Sequence, residues 1–209
     1  MYLIADFETR SEAEITECGL HNYATHPSTR ALMLGWRPVK SLDDKKTPVE
    51  IWEPRLGPMP KQLSDAINDP LVDIISHNSA FERYIFDFVL HIKIPTHRFQ
   101  DTQPSARYLS LPAKLAEVCE ILGLPEELRK DKRGEALMKL FSFPQTRKKK
   151  DGGGIYFNEP EDFPKSGKST RNTADRTVAP SKKLHGGRCC LGCSLCQNAN
   201  ERFGSSINL

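Results

Sequence analysis

No apolar run in this 209-residue sequence approaches the length needed to cross a bilayer: the longest, around Ala31 to Trp36 and Leu71 to Ile75, fall far short. Nor does a basic start lead into an apolar segment, because Asp6 and Glu8 arrive almost at once, so no secretory signal is visible. The six cysteines are therefore expected as thiols or metal ligands in a reducing cytoplasm, not as a disulfide framework. A dominant charge sign is missing too: 30 Lys+Arg against 27 Asp+Glu leaves +3, too little beside 38% hydrophobic residues for a wholly disordered chain. The expectation is a soluble globular protein with one ordinary core and some length to spare.

The averages conceal a division. Residues 1–164 are net acidic, whereas residues 165–209 carry eight Lys+Arg against two Asp+Glu, hold four of the six cysteines and have no Trp or Tyr. That stretch cannot bury much, so the domain is set at 1–164 and 165–209 is expected to be a basic, Cys-containing tail of low order.

Along the first part, Tyr2 to Asp6, Ala31 to Trp36 and Val49 to Glu53 read as strands of an opening meander. Lys61 to Asn68 reads as a short helix and Leu71 to Ile75 as the next strand, so the pattern turns to alternating strand and helix. Phe81, Ile85, Phe88 and Val89 recur at helical spacing, predicting an amphipathic helix over Phe81 to Leu90. Pro112 to Leu122 repeats that signature with Gly123 as its stop, and Arg133 to Phe141 is one more candidate helix. The run from Lys148 to Gly154 reads as a linker or loop, and Arg147 to Lys150 as a solvated loop able to touch phosphates.

Asp6-Phe7-Glu8 is the most informative tripeptide. On a strand, alternate side chains share a face, so both carboxylates point one way while Phe7 points to the core. Two like charges that close favour a shared cation. Hard ions such as Mg2+ or Mn2+ want oxygen ligands, and two of them about 3.5 to 4 Å apart activate water and stabilise the leaving oxygen of a phosphodiester. The plainer alternative is a solvated strand end. A second segment, His77 to Arg83, lies where a strand gives way to a helix, so Asn78 and Glu82 can turn toward the end of the first strand while Phe81 anchors the helix. Its plainer alternative makes Asn78 a cap and Glu82 a first-turn acid favoured by the helix dipole.

Together with Asp101-Thr102, Leu109-Ser-Leu-Pro112, Leu122-Gly-Leu-Pro125 and Lys130-Asp-Lys132, these segments resemble the 3′-5′ exonuclease (proofreading) domain of bacteriophage-type family A DNA polymerases. That domain is a DEDD exonuclease with an α/β, ribonuclease H-like fold, a mixed sheet with flanking helices. The resemblance covers about residues 1–164. It implies two Mg2+ or Mn2+ ions, a single-stranded DNA 3′ end as substrate, and a polymerase domain downstream in intact relatives. It also implies the cytoplasm of a bacterial or phage-infected cell and no membrane partner. The family's first motif maps onto Asp6 and Glu8 as metal ligands and catalytic carboxylates, with Thr9 beside them at the substrate. Its second motif maps onto Asn78, Phe81 and Glu82, with Asn78 and Phe81 at the terminal nucleotide and Glu82 as a metal ligand. At Glu82 the sequence departs from the family, which has Asp there, one methylene shorter.

The family's last motif, Tyr-x-x-x-Asp, is missing: four residues beyond Tyr84, Tyr108 and Tyr156 stand Phe88, Pro112 and Pro160. Its expected place is just after Glu159 to Pro164, where charge and cysteine content change. Reading the codons of Lys165 to Thr177 one frame over allows a phrase containing Tyr-x-x-x-Asp, so the tail is read as frameshifted. Cys190, Cys193 and Cys196, with Cys189 and His185 nearby, could ligate zinc, but they form only half of a structural zinc pattern and are read as adventitious. The expectation is thus an exonuclease domain acting in DNA replication, with a catalytically inactive remnant that at most binds single-stranded nucleic acid as the alternative.

Overall fold

A computed structural model describes residues 1–44, 46–124 and 139–159. Alternation shapes its first strand, β1 (Tyr2–Arg10). Leu3, Ala5 and Phe7 sink into the main core on one face, while Ile4, Asp6 and Glu8 take the other. After α1 (Ile15–Thr25), β2 (Arg30–Val39) returns antiparallel along the whole of β1, and β3 (Glu50–Trp52) adds to the outer side of β2. The chain then crosses through α2 (Lys61–Asn68) to β4 (Asp73–Ser76), which lies parallel to β1 on its free side. A helical stretch opening with α3 (Ala80–Tyr84) leads to β5 (Phe99–Asp101), parallel to β4. Next come α4 (Thr102–Tyr108) and α5 (Leu115–Ile121), and a small hairpin, β6 (Gln145–Thr146) and β7 (Ile155–Tyr156).

The five-stranded sheet has the order β3-β2-β1-β4-β5, with β2 antiparallel to its neighbours and β1, β4 and β5 parallel. This mixed sheet with flanking helices is the ribonuclease H-like arrangement. One face carries the large core, in which Phe7 meets Phe86 edge to face at 4.9 Å between ring centres. The other holds a smaller cluster of Ile4, Val39 and Ile75. Ala106, Val118 and Leu122 form a third cluster that packs α4 against α5.

Several sequence expectations meet their elements closely. The α2 helix spans Lys61–Asn68 as read. Gly123, at φ 66°, ends α5 with its N–H on Glu120 O and the next N–H, of Leu124, on Cys119 O, a left-handed stop open to glycine. The expected helix over Phe81 to Leu90 is instead divided: α3 ends at Tyr84 and Ile85–Val89 widens to a π-type turn closed by Leu90 N–H on Ile85 O. Of the helix expected over Arg133 to Phe141, only the end lies among the described residues, and Lys139 to Phe141 is helical. The tail from 165, with its cysteines, and the domain limit at 164 lie outside the described residues. Among the described residues no helix is long and apolar enough to cross a membrane.

Candidate active site

The site follows from a difference in strand length. β1 pairs with β2 along its full course but with β4 only from Tyr2 to Ile4. Ser76 at the end of β4 donates its hydroxyl to Ala5 O (2.9 Å), and beyond that point no strand among the described residues lies on the β4 side of β1. In a strand, residues two apart turn their N–H groups to the same side, so the Phe7 N–H faces this opening as Ala5 does. Glu82, from the first turn of α3, fills the place: its carboxylate accepts from the backbone N–H of Phe7 and from its own. The opening lies at the carboxyl ends of the parallel strands, the position where open α/β sheets bind ligands.

Glu82 is only 2% exposed, and its Oε2 is buried with no hydrogen-bond partner. Burial pushes its pKa well above the ordinary value, the Asp6 carboxylate pushes it further, the two backbone N–H groups pull it back, and Asp101 adds a smaller upward push. Asp6 is therefore electrostatically coupled to Glu82 across the gap. Glu8 shares the face of Asp6, two residues on, where the pairing with β2 slips: Glu8 lies opposite Met33 and Thr9 opposite Ala31. A bulge of this kind bends and twists the edge of a sheet, re-aiming the side chains beside it. The charge of Glu8 is felt at the phenol of Tyr23.

The other sequence-predicted residues sit around this margin. Thr9 is buried, and its hydroxyl shares a 2.7 Å hydrogen bond with the Tyr23 hydroxyl, so its side chain ties β1 to α1. Phe81 is half-buried, 6.3 Å from the Tyr23 ring. Asn78 is exposed in the turn between β4 and α3, at φ 67°, a left-handed conformation that asparagine tolerates better than most residues.

Two residues outside the predicted set organise the site. Asp101 accepts from Asn78 N–H, Ser79 N–H and Gln103 N–H, each at 2.9 Å, and from the Ser79 hydroxyl at 3.2 Å. It caps α4 and locks the turn that delivers Glu82. His77 is committed likewise: Nε2 donates to Ala113 O (2.8 Å), and Nδ1 shares a 3.0 Å hydrogen bond with the Thr102 hydroxyl. Only the contact of Asp101 with Gln103 N–H is local, the kind an Asp immediately before a helical turn makes as a cap.

The donor chemistry fits a hard divalent cation. The oxygens are carboxylates, and a buried carboxylate oxygen without a partner is the kind of group a cation satisfies. The charge of Asp6 is felt at Glu82. Among the described residues no three Asp, Glu, His or Cys side chains form a group with metal-ligand spacing, so Glu8 does not join them in one cluster.

The returning chain also reaches this margin. Arg10, at the end of β1, forms a 2.7 Å ion pair with Glu159, and its guanidinium lies 5.0 Å from the centre of the Phe157 ring. Residues 157–159 are thus held beside the last residue of β1.

No family model matches the sequence. The chain is similar to a DNA polymerase of Bacillus phage SP02, with 28% identity over 163 residues, 78% of this chain. It spans about a quarter of the length of that relative, 24%.

Proposed function

We propose that this chain carries the 3′-5′ exonuclease site of a DNA polymerase, hydrolysing 3′-terminal nucleotides from single-stranded DNA. The single observation behind the reading is the buried, unpartnered Oε2 of Glu82 set against Asp6, where the strand pairing of β1 stops. The similarity to a phage DNA polymerase supports the same direction.

In this reading Asp6, Glu8 and Glu82 would hold divalent ions, Mg2+ or Mn2+, which would supply an acidified water and neutralise charge on the leaving oxygen. The protein's own residues do the rest. Burial favours the neutral form of Glu82, so it would have to ionise to serve as a ligand. Asp6 would anchor a cation beside Glu82, with Glu8 a further carboxylate on the same strand face but outside that pair. The exposed Asn78 and half-buried Phe81, on the turn and first residues of α3, seat the terminal nucleotide by hydrogen bonding and stacking. Thr9 acts by holding the end of β1 against Tyr23.

The second reading is an inactive remnant that at most binds single-stranded DNA. The absence of a three-member ligand group among the described residues favours it, as does the missing Tyr-x-x-x-Asp. A labelled primer incubated with Mg2+ or Mn2+ separates the two. Stepwise shortening from the 3′ end that is abolished by Asp6→Ala supports the nuclease. Shortening that survives Asp6→Ala refutes the site, and intact primer at every metal concentration selects the remnant.

A further inference from the structure

The β6–β7 hairpin carries a second feature that the carboxylate site does not use. Arg147, Lys148, Lys149 and Lys150 occupy its tip in succession, all exposed. The tip is shaped, not slack. Lys149 to Asp151 forms a tight turn, Arg147 N–H bonds Gly154 O at 2.9 Å, and Gly152 and Gly153 N–H bond Lys149 O and Lys148 O at 3.2 Å. Gly152, Gly153 and Gly154 all hold positive φ (91°, 66° and 95°), which explains the glycine run: three side-chain-bearing residues would be strained there. The Arg147 guanidinium lies 5.0 Å from the centre of the Tyr156 ring, which is itself partly open to solvent. Among the described side chains no carboxylate forms an ion pair with Lys148, Lys149 or Lys150. Directly after Tyr156 the chain reaches Phe157 and Glu159, the residues that grip Arg10 at the end of β1.

We propose that this hairpin is a binding element for single-stranded DNA, its four cations following the phosphates and the Arg147–Tyr156 pair offering a stacking surface to a base. The argument for a nucleic-acid strand is charge complementarity combined with an aromatic ring in the same small structure. Such interleaving suits an unpaired strand, whose bases are free to stack, better than a duplex. The connection through Phe157 and Glu159 ties the hairpin to Arg10, two residues beyond Glu8 on β1. The inference rests on the nucleic-acid partner of the exonuclease reading but not on hydrolysis.

The test is fluorescence anisotropy of the full chain with a labelled oligothymidylate, in EDTA, over a range of salt. The fourfold variant Arg147→Gln, Lys148→Gln, Lys149→Gln, Lys150→Gln changes only exposed side chains. Each lost phosphate contact on a single strand removes about 0.7 from the slope of log affinity against log salt, so the slope should fall by roughly 3 and binding weaken at least tenfold at low salt. Tyr156→Ala should weaken binding roughly tenfold with little change of slope, and Tyr156→Phe should restore it. The basic tail contributes equally to parent and variant, so their difference isolates the hairpin. An unchanged slope in the fourfold variant overturns the proposal, as does a parent chain that does not bind the oligonucleotide. A duplex bound as tightly as the single strand overturns its single-strand specificity. A chain that hydrolyses nothing but loses slope as described supports the hairpin and refutes only the nuclease; one that hydrolyses primer with unchanged slope does the reverse.

Discussion

Asp101 Oδ1 accepts the backbone N–H of Asn78 at 2.9 Å, and with it holds a left-handed residue at the junction between β4 and α3. The same carboxylate takes two more N–H groups and a hydroxyl, so it couples the turn before Glu82 to the start of α4. Asp101→Ala strips all four contacts and leaves buried donors behind at Ser79. The expected loss is about 2 to 4 kcal/mol, measured as a lower urea midpoint. Asp101→Asn retains one acceptor oxygen and should recover part of it. If the turn positions Glu82, the alanine variant also weakens divalent-cation binding although residue 101 is not itself one of the proposed ligands.

Arg98 is a buried charge used as a structural tie. Its Nε donates to Val72 O (2.8 Å), and its two terminal nitrogens to Ile67 O (2.7 Å) and Ala66 O (3.2 Å), joining the approach to β5 to the last carbonyls of α2 and to the residue before β4. Cations at a helix C-terminus are favourable, and three carbonyls left unpaired in the interior are not. Arg98→Met, which preserves most of the volume, should cost about 3 kcal/mol by chemical denaturation. Arg98→Lys should recover only part of that, because one ammonium cannot reproduce the planar fork. Loss of less than about 1 kcal/mol in Arg98→Met would show that α2 does not depend on this tie.

The sequence was most legible where periodicity was strong. The α2 helix, the glycine stop at 123 and the common face of Asp6 and Glu8 all follow from spacing alone. The α1 helix was not legible, because Gly19 breaks it at φ 76° and only Tyr23 and Ala24 are buried, leaving no apolar stripe to detect. The α4 helix was hidden by Pro104, which reads as a breaker yet sits in the first turn, where no intrahelical N–H bond is lost. The three-residue β5 is too short to show alternation. At the site, local spacing placed Asp6 and Glu82 at facing chain segments. The clamp at Asp101 depends on a contact 22 and 23 residues away in sequence, which no local pattern encodes.

Glu82 makes the metal-free protein sensitive to pH in a defined direction. Its pKa in the fold is raised from an ordinary 4.5, so between 4.5 and the folded value the native state keeps a proton that the unfolded chain has released. Stability contributed by this group is therefore complete below 4.5 and falls by about 1.4 kcal/mol per pH unit through that window as pH rises, levelling off above the folded value. In EDTA, Glu82→Gln should be more stable than the parent at pH 7 and should lose this component of the pH slope. Adding Mn2+ should raise the melting temperature of the parent and leave that of Glu82→Gln much less changed. Equal melting shifts in both proteins would remove Glu82 from the ligand set.

The Tyr23 hydroxyl joins structure to site. Burial raises its pKa above the ordinary 10.0, the hydrogen bond with Thr9 works against that shift, and the charge of Glu8 reinforces it. Tyr23→Phe keeps the ring beside Phe81 but leaves the Thr9 hydroxyl without this partner in a buried place, a loss of about 1 to 2 kcal/mol. Thr9→Val paired with Tyr23→Phe removes both polar ends at once, so the double variant should be more stable than the two single losses summed, a coupling that a double-mutant cycle reads directly. Additive single losses would show that Tyr23 and Thr9 do not hold β1 and α1 together through this bond.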